Sequence, residues 1–176
     1  MRIGYRLLAL ALLALAAGCT TTPPTVGERV FLADLECLPD DGFQCGPASL
    51  TAVLRYHDMA AEADAVRAAI YSEGARGVIV QDMLWYAREE GLDARAAAAT
   101  VADLRAEIDR GRPVIVQVDV GRFGQRINHF MVIAGYTDTQ LIIHSGDQRE
   151  EPIAVDRFAR MWRATGQIAI FIGPRS

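Results

Sequence analysis

The chain has 176 residues, of which 51% are hydrophobic, and its 18 basic and 22 acidic side chains leave a net charge of −4. Every basic residue is arginine and no basic stripe stands out, which argues against nucleic acid as a partner. The sequence shows no internal repeat, no glycine-rich phosphate loop and no zinc-ligand spacing, so neither metal nor organic cofactor is implied.

Residues 1–18 read as a bacterial export signal. Arg2 and Arg6 precede an apolar run from Leu7 to Ala17, and small residues follow. The run is too short for a comfortable membrane span. The segment LAAGC, Leu15 to Cys19, resembles a lipobox with Cys19 as the lipidated residue; an ordinary signal peptide with a chance cysteine is the alternative. Residues 19–28, rich in Thr, Pro and Gly, form a flexible tether, and residues 29–176 form one domain with a core of its own. The expected location is a membrane surface on the periplasmic side. Thr20 after Cys19 favours the outer membrane of a Gram-negative host.

VFLADLECLPDD begins with apolar alternation and ends in turn residues, which predicts an initial strand or extended arm and then a loop. GPASLTAVLRYHD carries Ala48, Leu50, Val53 and Leu54 at helical spacing, with Pro47 near a first helical position. AEADAVRAAIYSE predicts a second helix. VQDMLWYAREEG predicts a third, stopped by Gly91. LDARAAA reads as a short strand, and TVADLRAEIDRG as a fourth helix capped by Thr100 and ended by Gly111. The runs PVIVQVDV, HFMVIAGY, QLIIHS and QIAIFIG then predict strands, with VDRFARMWRA as a helix before the last. Arg149 to Glu151 reads as a charged turn, and Trp85, Tyr86, Phe158 and Trp162 as core or groove-lining. Helices first and a mostly antiparallel sheet afterwards is an α+β order.

With Cys19 assigned to lipid, Cys37 and Cys45 remain, and a disulfide between them is one reading. Cys45 also stands directly before Gly46 and Pro47, where a helix begins. A thiol there meets the positive end of the helix dipole and free N–H groups, which favour a thiolate and could hold a developing oxyanion. Such a nucleophile needs a histidine base. His57 lies roughly 18 Å further along the same helix and reads as a surface or capping residue. His144 is a weaker candidate inside an apolar run. His129 opens the strand HFMVIAGY, 84 residues after Cys45, and follows a loop holding Arg122, Phe123 and Arg126. That loop is either a lid or substrate contact, or a solvated turn.

QCGPASLTAVLRYHD, GRPVIVQVDV, NHFMVIAGY and LIIHSG together resemble the bacteriocin-processing, double-glycine-leader cysteine peptidases (cysteine peptidase family thirty-nine), and in particular their stand-alone lipoprotein members. The resemblance covers nearly the whole folded part. It implies a papain-like fold, Cys45 as nucleophile, His129 as general base, and cleavage of a peptide after a small-residue leader. It also implies a glutamine about six residues before the cysteine as oxyanion donor. Pro39 stands there, followed by Asp40, whose carboxylate would repel an oxyanion unless protonated. Gln44 and the Gly46 backbone N–H are the weaker substitutes. The orienting aspartate expected about sixteen residues after the histidine is replaced by Ser145; Asp147, Ser145 and Asn128 are the alternatives for that role.

The leading expectation is therefore a lipid-anchored thiol peptidase acting on a peptide or protein, with an export system as a possible partner. A catalytically impaired peptide-binding module on the same fold, and a cell-wall amide hydrolase or transpeptidase, are the alternatives.

Overall fold

The structure, a computed structural model, describes residues 29–40, 44–74 and 77–175. The predicted export signal, the lipidation position Cys19 and the tether to residue 28 lie outside these residues. Among the described residues no helix is long and apolar enough to cross a membrane.

The elements are β1 (Val30–Phe31), α1 (Cys45–Tyr56), α2 (Ala63–Ile70), β2 (Tyr71–Ser72), β3 (Gly77–Val78), α3 (Val80–Glu89), β4 (Leu92–Ala98) and α4 (Val101–Asp109). They continue with β5 (Val114–Asp119), β6 (Asn128–Tyr136), β7 (Gln140–Ser145), β8 (Gln148–Ala154), α5 (Val155–Arg163) and β9 (Ile168–Pro174). The main sheet runs β4-β9-β5-β6-β7-β8, with β1 added beside the far end of β6, and its pairs are all antiparallel. This is the predicted α+β architecture.

The central strands read as continuous apolar runs because both faces of the sheet are covered. Ile115, Phe130, Val132 and Ala134 pack with Leu50, Val53 and Leu54 of α1 and with residues of α2 and α3. Their neighbours Val114, Val116, Met131 and Ile133 pack on the opposite side with Leu104 and Ile108 of α4 and Phe158 and Trp162 of α5. Successive strand residues thus point into two cores. α4 is fixed at its start by a capping box: Thr100 Oγ1 accepts from Asp103 N–H at 3.2 Å, and Asp103 Oδ2 accepts from Thr100 N–H at 2.8 Å.

Three local expectations are corrected. The charged segment at Arg149 to Glu151 is not a turn but the middle of β8, the sheet's edge strand. Solvent on its outer side tolerates the charges, and Pro152 is accommodated at an edge. The second helix stops at Ile70, because Tyr71 and Ser72 pair with Val78 and Gly77 in a small hairpin. Trp85 is 56% exposed rather than packed.

Candidate active site

Cys45 is the first residue of α1, with Gln44 as N-cap residue and Pro47 at the third helical position. Pro47 lacks an N–H where a helix has no partner for one. The Gln44 side chain makes no capping hydrogen bond. The Cys45 thiol is half-buried and accepts the Phe130 N–H at 3.5 Å, so the helix start is tied to β6 one residue beyond His129. Gly46 is required here: a Cβ would come within 2.9 Å of Val78 Cγ2 and 3.5 Å of the Phe130 ring.

His129 is the second residue of β6 and Ser145 the last of β7. β6 and β7 pair Val132 with His144. The next step places Ser145 on the face of β6 that carries Met131 and His129, as a diagonal neighbour of the imidazole. Ser145 Oγ meets His129 Nε2 at 2.7 Å. In the tautomer that donates Nε2–H to that oxygen, the lone pair lies on Nδ1, the nitrogen to which a thiol proton would pass. Asp147 lies past the end of β7 in the exposed turn to β8, and Asn128 is exposed at the start of β6. Ser145, not Asp147 or Asn128, is thus the residue on the ring.

A ring nitrogen of His129, Cys45 Sγ and a carboxylate oxygen of Asp40 all lie within 4.8 Å of one another. Cys45 and His129 are therefore brought together from α1 and β6, and the loop before α1 adds a carboxylate. No spacing along the chain announces this three-residue group.

The electrostatics differ from the helix-dipole expectation. Burial pushes the Cys45 thiol above its ordinary value, and the Asp40 charge pushes the same way; the N–H groups of Phe130, Gly46 and Cys45 itself oppose them without prevailing. Burial pushes His129 below its ordinary value, against the pull of Asp40. Both shifts favour the uncharged thiol and the uncharged imidazole, which suits proton transfer during attack.

The other two histidines are structural. His57 is the C-cap residue of α1 and its Nε2 meets the Ile172 carbonyl at 3.1 Å. His144 is 3% exposed, and its Nδ1 meets the Glu36 carbonyl at 3.2 Å. Both imidazoles are held below the usual histidine range by burial. Cys37 and Cys45 are both free thiols, so the disulfide reading is set aside. The Cys37 thiol donates to the Gly146 carbonyl at 3.3 Å.

Sequence reasoning missed Asp119 at the end of β5. Its Oδ1 accepts the N–H groups of Gly121 at 2.8 Å and Ile127 at 3.0 Å, closing the loop that delivers His129. Gly121 has no room for a Cβ, which would sit 1.7 Å from the Gln125 carbonyl oxygen. An Asp-x-Gly at a strand end is a readable turn signal that could have found it. Beside His129 opens a groove of about 410 Å³, lined among others by Val120, Arg122, Ser145, Glu151, Arg157 and Met161.

The fold has solved counterparts. The chain is similar to the peptidase domain of Streptococcus ComA, a bi-functional ABC transporter involved in a quorum sensing pathway, at 27% identity and a TM-score of 0.66, covering 80% of this chain and 99% of that one. A putative C39-like peptidase from Bacillus anthracis matches at 17% identity and a TM-score of 0.69, covering 85% of this chain and 99% of that one. A double glycine motif protease from an AMS/PCAT transporter, solved in complex with its leader peptide, matches at 23% identity and a TM-score of 0.63, covering 78% and 89%. Among curated proteins none matches. The fold is that of the papain-like peptidase domains. The family model matching residues 39–170 spans the thiol, the imidazole and the sheet between them, and the chain belongs to the Peptidase_C39 like family.

Proposed function

We propose that the chain is a lipid-anchored thiol peptidase that cleaves a peptide bond through Cys45 and His129. The observation that carries the reading is the meeting of three elements at one imidazole: Ser145 Oγ on Nε2 at 2.7 Å, with the Cys45 thiol within 4.8 Å of a ring nitrogen. As the thiol attacks the carbonyl carbon, His129 takes its proton at Nδ1. The imidazolium, steadied by Ser145, then protonates the leaving amine. The N–H groups of Cys45 and Gly46, at the open end of α1, hold the developing oxyanion. Water, deprotonated by His129, releases the acyl group from the thioester and restores the thiol.

The groove of about 410 Å³ beside His129 is large enough for a short stretch of peptide. The leader peptide bound by the double glycine motif protease supports a peptide substrate of the same class, and the transporter setting of ComA supports an export system as partner. The lipid anchor at Cys19, the periplasmic side and the outer membrane are proposed on the lipobox-like segment and Thr20 alone.

One observation favours a second reading. Asp40 places a carboxylate within 4.8 Å of the thiol, where a developing oxyanion gains no help. A peptide-binding module with impaired chemistry is the reading this supports. The test is to incubate the full chain, purified in detergent, with Gly-Gly leader peptides and with muropeptides, and to follow products by mass spectrometry against Cys45→Ala. Cleavage after Gly-Gly that vanishes in the variant supports the peptidase. Leader binding without cleavage supports the module. Cleavage of muropeptides alone would overturn the leader-type assignment.

A further inference from the structure

We propose that Asp40, Cys45 and His129 form a zinc-binding site, and that zinc bound there blocks the thiol. The donor set is one sulfur, one imidazole nitrogen and one carboxylate oxygen, a combination that zinc prefers over harder cations. The three donor atoms lie within 4.8 Å of one another. Bond lengths of about 2.0–2.3 Å to a shared ion set tetrahedral donors roughly 3.3–3.6 Å apart, so the widest pair has at most about 1.5 Å to close. A rotamer change of the thiol supplies movement of that size, and the Asp40 carboxylate would exchange part of its present interaction for the ion.

Two further features suit a cation. His129 Nε2 is engaged by Ser145 Oγ at 2.7 Å. An outer hydrogen bond of this kind fixes ring and tautomer in metal-ligating histidines, leaving Nδ1 for the ion. The Phe130 N–H reaches Cys45 Sγ at 3.5 Å and would remain on the sulfur once zinc is bound. On binding, the S–H bond breaks, its proton passes to solvent, and a Zn–S bond forms. The fourth position would take water.

A carboxylate beside the thiol is a handicap for an oxyanion and an asset for a cation, so one residue accounts for both. The site would act as a brake: metal holds the thiol closed, and its removal returns the pair to the chemistry described above. The inference rests on the donor geometry, not on turnover, and is tested without a peptide substrate.

The experiment uses the full chain, untagged, in detergent and carrying Cys19→Ala, stripped with a chelator and titrated with zinc alone against a chromophoric competitor. In parallel, alkylation of Cys45 by iodoacetamide is read by peptide mass spectrometry with and without zinc. The expected result is one zinc per chain, Cys45 protected by it, and affinity unchanged in Cys37→Ala. Asp40→Asn should lose at least the tenfold to hundredfold that removal of an outer-shell partner costs, and Cys45→Ala more. Because alkylation is read on the unsubstituted site, a variant that fails to fold does not hide the answer. Absence of stoichiometric zinc, unhindered alkylation in its presence, or equal affinity in Asp40→Asn would overturn the proposal.

Discussion

Gly46→Ala probes how closely α1 is pressed against its surroundings at the thiol. The added methyl would meet Val78 Cγ2 at 2.9 Å and Val78 Cβ at 3.0 Å, with Phe130 Cδ2 at 3.5 Å. Carbon contacts settle at about 3.5–4.0 Å, so the Val78 side of the site must give by about half an ångström or more. Overpacking of this kind costs about 1–3 kcal/mol. Better helix propensity returns up to about 1 kcal/mol. The net expectation is a loss between about 0 and 3 kcal/mol, with a middle value of about 1–2 kcal/mol that corresponds to a fall in Tm of roughly 2–8 °C. The assay is urea unfolding of the wild type, Gly46→Ala, Val78→Ala and the double variant. Removing the Val78 branches makes room, so the double variant should be more stable than the sum of the singles by about 1 kcal/mol, within the range measured for touching residues. Should the first turn of α1 yield instead of Val78, Cys45 moves with it, and a misplacement of about 1 Å can lower turnover by about 10². A stabilising Gly46→Ala, or strict additivity in the cycle, would refute the packing argument.

Asp40→Asn should lower the pH at which Cys45 becomes reactive to iodoacetamide in metal-free protein, because the Asp40 charge helps hold the thiol up; an unchanged or higher value would show that the carboxylate does not act on the sulfur. Ser145→Ala removes a neutral hydrogen bond from the His129 ring. Such a bond is worth about 0.5–1.5 kcal/mol, so Cys45-dependent turnover should fall by up to about tenfold while Tm barely moves; full activity would mean that another group orients the imidazole. His57 and His144 are held neutral by burial, their folded values lying below the ordinary histidine value. The unfolded chain accepts those protons from about pH 6.5 downward and the folded chain does not, so their contribution is complete above that pH and is lost as pH falls toward the folded values, by up to about 1.4 kcal/mol per pH unit for each. Urea midpoints from pH 8 to 5 should therefore drop below about pH 6.5 and drop less in the His57→Gln, His144→Gln double variant; equal slopes would contradict the assignment.

What the sequence makes legible here is what local chemistry dictates. Thr100 and Gly111 bound α4 as read, and the structure adds Asp103 as the second half of the cap. The apolar runs of β5, β6, β7 and β9 become the sheet's central strands, and His129 stands at the start of one of them. What escapes local reading is set by neighbours. β8 carries Arg149, Glu150, Glu151 and Pro152 and forms because β7 offers it an edge, not through its own propensity. The approach of Asp40 to the thiol depends on a loop closing against Gly146 of the β7–β8 turn, where an added Cβ would sit 3.5 Å from Asp40 Oδ2. The thiol's resting form also depends on tertiary burial. The helix start does turn N–H groups toward Cys45, as its position promises, but desolvation by the packed surroundings outweighs them.

The most direct test of the central claim, that Cys45 is a nucleophile activated by His129, compares two electrophiles on metal-free full-length chain. A peptidyl vinyl sulfone ending in Gly-Gly needs a bound pose and a proton donor, whereas iodoacetamide needs only an accessible thiol. Mass spectrometry locates the adducts. The account predicts that the peptidyl probe modifies Cys45 and not Cys37, and that His129→Ala slows this reaction far more than it slows iodoacetamide labelling. Equal slowing of the two reagents, or a peptidyl adduct that forms as readily on Cys37, would contradict it.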